Sequence, residues 1–288
     1  MNKIISVIIP MYNSEPYIEK CLDSLILDEN YMQDVEIIVV NDGSTDHCAE
    51  LVRPYVEQYP DTIRLISQEN GGHGAAVDAG IDACQGEYFR VLDADDWFLT
   101  NGWKKFVHTL LGIQTVDIIV SGYEQYDVQT EETGLISPPI ERAVETLTTD
   151  QVMHNWMEFR HVFSLHGMTY RTEFYRKHAI KLPKKVFYDD AVYVTVVASQ
   201  IKKVCVLKYP VYVYRIGDVN QSISSASRVA RIEHMKTVIR TICETQHEQR
   251  SEAGTNYWNY KVRSTITDFL VTAFLRFDDK KAGRSHAR

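Results

Sequence analysis

Gly86-Glu-Tyr-Phe-Arg-Val-Leu-Asp-Ala-Asp-Asp-Trp-Phe98 runs an apolar segment straight into three carboxylates. Tyr88 to Leu92 has the composition of a strand covered on both faces, as in a parallel sheet, and open α/β sheets bind ligands beyond the carboxyl ends of their strands. Asp93, Asp95 and Asp96 are therefore expected in a crevice at the strand end. Asp93 and Asp95, with one residue between them, can present hard oxygens to Mg²⁺ or Mn²⁺, whose other positions water and substrate phosphates can fill. A solvated acidic turn ahead of a helix is the other reading of the same residues.

Working outward toward the N-terminus, the segments alternate between two periodicities. Ile4 to Ile9 is a continuous apolar run closed by Pro10, and Ile18, Cys21, Leu22 and Leu25 follow at helical spacing. Val35 to Val40 repeats the pattern, with Asn41-Asp-Gly-Ser-Thr-Asp46 leading into a helical face of Cys48, Leu51, Val52, Tyr55, Val56 and Tyr59. Ile63 to Ser67 forms a third strand before Gln68-Glu-Asn-Gly-Gly-His-Gly74 and a small-residue helix from Ala75 to Ala83. Asp42 fits either an Asx turn or a hydrogen bond to a ligand N–H. Gly71, Gly72 and Gly74 either let the backbone approach an anion or make a plain connection. The spacing is neither that of a dinucleotide fingerprint nor that of a P-loop.

Composition narrows the classes. The chain has 288 residues, 44% of them hydrophobic, enough for one large domain or a domain with an appended lobe. A formal charge of −8 argues against a broad nucleic-acid surface. Cys21, Cys48, Cys84, Cys205 and Cys243 are odd in number and never spaced Cys-x-x-Cys, so they read as reduced, packed thiols. No apolar run reaches the length of a bilayer span, and Met1-Asn-Lys leads into a strand with no signal peptide, so the expected compartment is the cytoplasm.

Four motifs then stand in order: Val7-Ile-Ile-Pro-Met-Tyr-Asn13, Asn41-Asp-Gly-Ser-Thr-Asp46, Asn70-Gly-Gly-His-Gly-Ala-Ala-Val-Asp-Ala-Gly80 and Leu92-Asp-Ala-Asp-Asp-Trp97. Together they resemble an inverting family 2 glycosyltransferase. The resemblance implies an α/β, Rossmann-like nucleotide-diphospho-sugar (GT-A) domain with a mixed, mainly parallel sheet. It implies that Asp42 reads the nucleobase, with Pro10, Tyr12 and Asn13 lining its pocket. It places Asn70, Gly71, Gly72 and Ala94 at the donor, a UDP-sugar. Asp93 and Asp95 become the Asp-x-Asp that serves ribose, diphosphate and Mn²⁺ or Mg²⁺.

Downstream, Trp103, Phe106, Val107 and Leu110 suggest a helix, Val116 to Ser121 and Tyr123 to Val128 two strands, and Thr130 to Pro139 a solvent hairpin or loop. Thr149 to Arg160 reads as one helix. His161 and His166 flank Phe163 and read as structural histidines, with His166 retained as a site residue. Tyr188-Asp-Asp-Ala-Val-Tyr193 opens an apolar helix, where acids favour the N-terminal dipole. The resemblance makes Asp190 the general base, with Asp189 standing where the family usually has Glu and Tyr193 as its aromatic. Ile201 to Ile216 reads as strands broken at Pro210, ending in a segment through Ser224 similar to the family's mobile loop. There Arg215 meets either the diphosphate or a nearby acid.

Residues 1–225 are thus expected to form the catalytic domain, with a nucleotide-sugar half at 1–100 and an acceptor half at 101–225, and residues 226–288 a helical extension. The acceptor is a glycan, glycolipid or glycoprotein. The basic tail from Lys280 to Arg288 leaves peripheral membrane contact open, and a homo-oligomer is equally open. Two other classes share parts of this pattern. A sugar nucleotidyltransferase needs a glycine-rich loop after its first strand, where this chain has Pro10-Met-Tyr-Asn13, and a catalytically silent partner subunit has no need of Asp93, Asp95 and Asp190.

Overall fold

A computed structural model of the chain describes residues 3–218, 221–277, 283, 285 and 286. Most of the basic tail, and with it the membrane expectation, lies outside the described residues, as do Val219 and Asn220 of the loop after Arg215.

The first half is built of βα units: β1 (Ile5–Met11), α1 (Ile18–Asp23), α2 (Glu29–Met32), β2 (Val35–Asn41), α3 (Cys48–Gln58), β3 (Ile63–Ser67), α4 (His73–Ala83) and β4 (Tyr88–Val91). Every residue of β1, β2 and β4 is buried, which is why these strands read as largely apolar rather than alternating, with Ser6, Glu36 and Arg90 among the buried exceptions. β1 pairs in parallel with β2 on one side and with β4 on the other. Strand order therefore reverses at β1, and the crevice beyond the carboxyl ends of β1 and β4 is the place where such sheets receive ligands. Pro10 does not close β1. It lies past the last residue paired with β4, Ile8 with Val91, and the strand continues to Met11.

The second half continues the sheet. β5 (Trp97–Phe98), α5 (Thr100–Leu110), β6 (Ile118–Asp127), β7 (Thr133–Ile136), β8 (Val144–Thr148), α6 (Thr149–His154), α7 (Trp156–Phe159), β9 (Met168–Arg171), α8 (Thr172–His178), α9 (Asp190–Val196) and β10 (Lys203–Ile216) complete the order β3-β2-β1-β4-β9-β6-β10-β5, with β7 on β6 and β8 on β10. β9 runs antiparallel between β4 and β6, so the sheet is mixed. The helix expected over 149–160 breaks at Asn155, whose φ of −110° and ψ of 31° leave the helical region. β10 passes through Pro210 without ending; its pairing with β6 shifts register there, opposite Gly122. α10 (Ser225–Ala230), α11 (Ile232–Cys243) and α12 (Glu252–Val271) form the helical C-terminal part. α11 and α12 both pack on α9, and the Tyr257 hydroxyl of α12 donates to the Val194 carbonyl at 2.6 Å. All five cysteines are free, four of them buried.

Candidate active site

The loops after β1 and β2 are tied together. Asn13 adopts a left-handed φ of 49°, its N–H donates to Ser44 Oγ at 3.1 Å, and its Oδ1 accepts the Thr45 N–H at 2.8 Å. Tyr12 stands out at 51% exposed above the buried Pro10. Asp42, only 2% exposed, has its carboxylate already engaged. Oδ1 accepts from Gly71 N–H at 2.8 Å and Gln68 Nε2 at 2.7 Å, and Oδ2 from Gly72 N–H at 2.8 Å. In this structure Asp42 is the anchor of the glycine-rich loop, and a nucleobase meets only the lone pairs these three bonds leave. Asn70 is exposed on the same loop, packed against Gly43.

The glycines of that loop make room for protein. Gly72 has φ of +87°, and a Cβ there lies 2.8 Å from the backbone of Lys185; a Cβ on Gly74 lies 2.8 Å from Asp189 Oδ2. Lys185 N–H also donates to the Gly71 carbonyl at 2.7 Å. The loop thus receives residues 182–189, the approach to α9. Between these glycines stands His73, whose Nδ1 lies 2.9 Å from Asp189 Oδ2 and whose Nε2 lies 3.1 Å from Asp93 Oδ1. Carboxylates only accept, so an imidazole facing two of them is doubly protonated. Burial alone lowers its pKa, but Asp189 and Asp93 outweigh burial and hold it well above the ordinary value. His73 was not singled out in the sequence; the only signal was a ring amid residues too small to pack.

Beyond β4, Asp96 N–H donates to the Asp93 carbonyl at 3.0 Å, and this turn folds Asp96 back beside Asp93. Asp93, Asp96 and His166 each bring one ligand atom within 4.8 Å of the others. Asp96 is buried, accepts from Arg215 N–H at 2.8 Å and from the Tyr212 hydroxyl, and is pushed well above the usual carboxylate range by burial and by Asp95 and Asp93. Burial raises Asp93 too, but the hydrogen bond and charge of His73 and the proximity of His166 bring it below the ordinary value. His166 stacks on Tyr214 at 3.8 Å between centroids. Burial holds its pKa down at about 4 against the pull of Asp93, so the ring is neutral and keeps a lone pair. Two carboxylates and a neutral imidazole suit Mn²⁺, and leave Mg²⁺ with fewer oxygens than it prefers.

Beside the expected Asp93 and Asp95, the fold thus sets Asp96 and His166 close to Asp93. Burial and the neighbouring charge of Asp93 raise the carboxyl of Asp95, which lines a cavity of about 110 Å³ together with Asp96, Tyr17, Lys20, Trp97 and Arg215. Ala94, between Asp93 and Asp95, is buried. Arg215 pairs with Asp218 at 3.0 Å, its guanidinium 4.6 Å from the centre of the Tyr17 ring. Behind the cluster Arg90 is fully buried within an apolar strand, 5.4 Å from the centre of Phe98 and 5.7 Å from those of Phe106 and Tyr212. Its guanidinium donates to Ser121 Oγ at 3.1 Å and to the carbonyl of His166, which holds that histidine's loop against the acids. A charge inside a buried strand was a signal the sequence carried.

Asp190 is the first residue of α9 and half-buried. Among the described residues no side chain or backbone group is hydrogen-bonded to its carboxylate. Burial, with Asp189 adding, raises its pKa to about 6. Lys261, reaching in from α12 with its Nζ 3.1 Å from the Phe163 carbonyl, is lowered by burial to about 8 against the attraction of Asp190. Tyr193, on the buried face of α9, has its ring centre 6.1 Å from that of Tyr170.

Residues 6–178, more than half of the chain and including the loops after β1, β2 and β4, match the sequence profile of glycosyl transferase family 2. The chain belongs to that family. Among its relatives, the uncharacterized glycosyltransferase EpsJ of Bacillus subtilis is 30% identical over 220 residues, covering 75% of this chain and 62% of that protein. Glycosyltransferase GlyA of Streptococcus pneumoniae is 30% identical over 255 residues, covering 83% of this chain and 34% of that protein. The chain thus spans less than two thirds of these relatives' length. The GT-A fold is shared with S. aureus TarS residues 1–349 in complex with UDP-GlcNAc, with a TM-score of 0.63, 17% identity and coverage of 98% of this chain and 88% of that one. It is shared also with mannosyltransferase PcManGT of Pyrobaculum calidifontis in complex with GDP-Man and Mn²⁺, with a TM-score of 0.61, 17% identity and coverage of 99% and 74%. At these identities the likeness is one of fold.

Proposed function

We propose that this family 2 glycosyltransferase transfers a sugar from a nucleoside diphosphate sugar, UDP-linked, to an acceptor hydroxyl with inversion, in the assembly of a cell-surface polysaccharide or glycoconjugate. The observation that carries the reading is Asp190, a half-buried carboxylate raised to about 6 and without a hydrogen-bond partner among the described residues, near the Asp93, Asp96 and His166 group. Asp190 accepts the acceptor's proton as its oxygen bonds to the anomeric carbon, and the bond to the diphosphate breaks on the opposite face. Asp93, Asp96 and His166 would hold Mn²⁺ or Mg²⁺, which supplies charge neutralisation to the leaving diphosphate. Tyr12 and Asn13 flank the nucleobase, and Arg215 and Lys20 stand where they can turn toward phosphate oxygens. The acceptor is a growing glycan on a lipid or protein carrier. Unpaired thiols fit a reducing, cytoplasmic working place, and among the described residues no helix is long and apolar enough to cross a membrane.

Two measurements test this reading. Calorimetry of UDP and of UDP-GlcNAc should give affinities at least about tenfold, or about 1.4 kcal/mol, tighter with Mn²⁺ than with EDTA. His166→Gln should remove most of that difference and Asp95→Asn little of it; equal affinities in chelator would take the metal out of the reading. The second is a pH profile. A base must be deprotonated to act, so kcat/KM should rise with pH through about 6 and level off above it. An acid limb near 4 would assign the proton to an ordinary exposed carboxylate instead.

A further inference from the structure

Asp190 is useful only if its carboxylate sits at a set place relative to the donor, yet the two reach the site from distant parts of the chain. The donor-side acid Asp93 ends β4 in the first half, whereas Asp189 and Asp190 open α9 after a long excursion through the rest of the sheet. One side chain joins them. His73 faces Asp189 with one ring nitrogen at 2.9 Å and Asp93 with the other at 3.1 Å. Around it the fit has no slack: Gly72 lies against the backbone of Lys185, Gly74 against Asp189 and Leu182, and Lys185 N–H is bonded to the Gly71 carbonyl. Asp189 itself is 2% exposed, so its carboxylate belongs to this contact rather than to substrate. The Asn70 to Gly74 loop is therefore a surface on which the base segment is seated.

We infer that His73 is a positioning residue for sugar transfer, a two-sided link that sets the start of α9, and with it Asp190, against Asp93. The inference rests on the transferase reading above for its consequence and on geometry alone for the link. A misplacement of about 1 Å in such a constellation costs on the order of 10²-fold in rate.

The test uses the whole chain and four variants, His73→Ala, His73→Gln, Asp189→Asn and the double variant His73→Ala/Asp189→Asn. Release of nucleoside diphosphate is followed with UDP-glucose, UDP-GlcNAc and GDP-mannose, together with amide hydrogen exchange. His73→Ala should lower kcat by about 10²-fold with the donor KM changed by no more than about threefold. His73→Gln, which keeps a donor within reach of Asp189, should recover part of the loss. The double variant should be no slower than the slower single one, because both break the same bond. Amides of residues 185–192 should exchange faster in His73→Ala while those of β1 and β2 do not change. Additive rate losses, or unchanged exchange at 185–192, overturn the inference. Should His73→Ala fail to fold, Gly74→Ala pushes on Asp189 from the same loop with His73 intact, and must show the same faster exchange and slower turnover. A wild-type chain that releases nothing from any of the three donors overturns the transferase reading instead, and the exchange result still decides whether His73 seats the segment.

Discussion

Asp190→Asn is expected to lower sugar transfer by about 10²- to 10⁴-fold, the usual contribution of a positioned general base. The substitution keeps size and shape and removes only the ability to take a proton. It also removes a half-buried charge that burial and Asp189 already disfavour, so the variant should melt no lower than the parent. UDP affinity should be unchanged, since the reading proposed above puts the donor on the loops after β1, β2 and β4. Asp189→Asn should be milder, because Asp189 faces His73 rather than the open crevice. If the Asp189 variant is the inactive one and the Asp190 variant is near wild type, the roles of the two are reversed.

Asp42→Ala should be the most damaging change outside the acid cluster. Three N–H donors converge on this nearly fully buried carboxylate, and its removal leaves them without their partner in a half-buried site. Unsatisfied buried donors cost about 1–3 kcal/mol each; with partial relaxation of the loop, about 3 kcal/mol in all is expected, a fall in Tm of roughly 6–12 °C for a chain of this size. UDP binding should weaken with it, because Gly71 and Gly72 lose their anchor. The comparison of UDP with GDP, made at a temperature where the variant is folded, separates two roles. If Asp42 only holds the loop, both nucleotides weaken together. If it also reads the base, the preference for UDP collapses as well.

The parts of the fold that were legible from the sequence are those whose causes are local. Tyr88 to Leu92 reads as a buried parallel strand because both of its faces are covered, and Asp93 follows at its carboxyl end for the same reason. β9 was not legible: four residues become a strand only through Tyr88 and Ile118, which flank them from other parts of the chain. β5 is two residues long and exists by pairing with Tyr212 and Val213. Pro210 looked like a break, yet the sheet absorbs it as a shift in register opposite Gly122. At the site, the spacing of Asp93 and Asp95 suggested a pair; that Asp96 and His166 also stand close to Asp93 is set by the fold and not by the local sequence. The loop from Asn70 to Gly74 read as either an anion site or a plain connection, because glycines permit close approach by anything. That the approaching group is Lys185 and Asp189 is set by tertiary packing, and no local pattern encodes it.

The family profile ends at residue 178, ahead of Asp190, while the helix that carries Asp190 rests on α12 through Tyr257 and Val194. This bears on any chimaera meant to redirect which hydroxyl is glycosylated. A crossover placed after the profile's last residue would join a new α9 to an old 70–74 loop whose glycines are fitted to Lys185 and Asp189, and one placed before α12 would leave the transplanted α9 without the tyrosine beneath it. Residues from about 182 through the end of α12 are therefore one heritable block, exchangeable between relatives only together, and only into recipients whose 70–74 loop is equally bare of side chains.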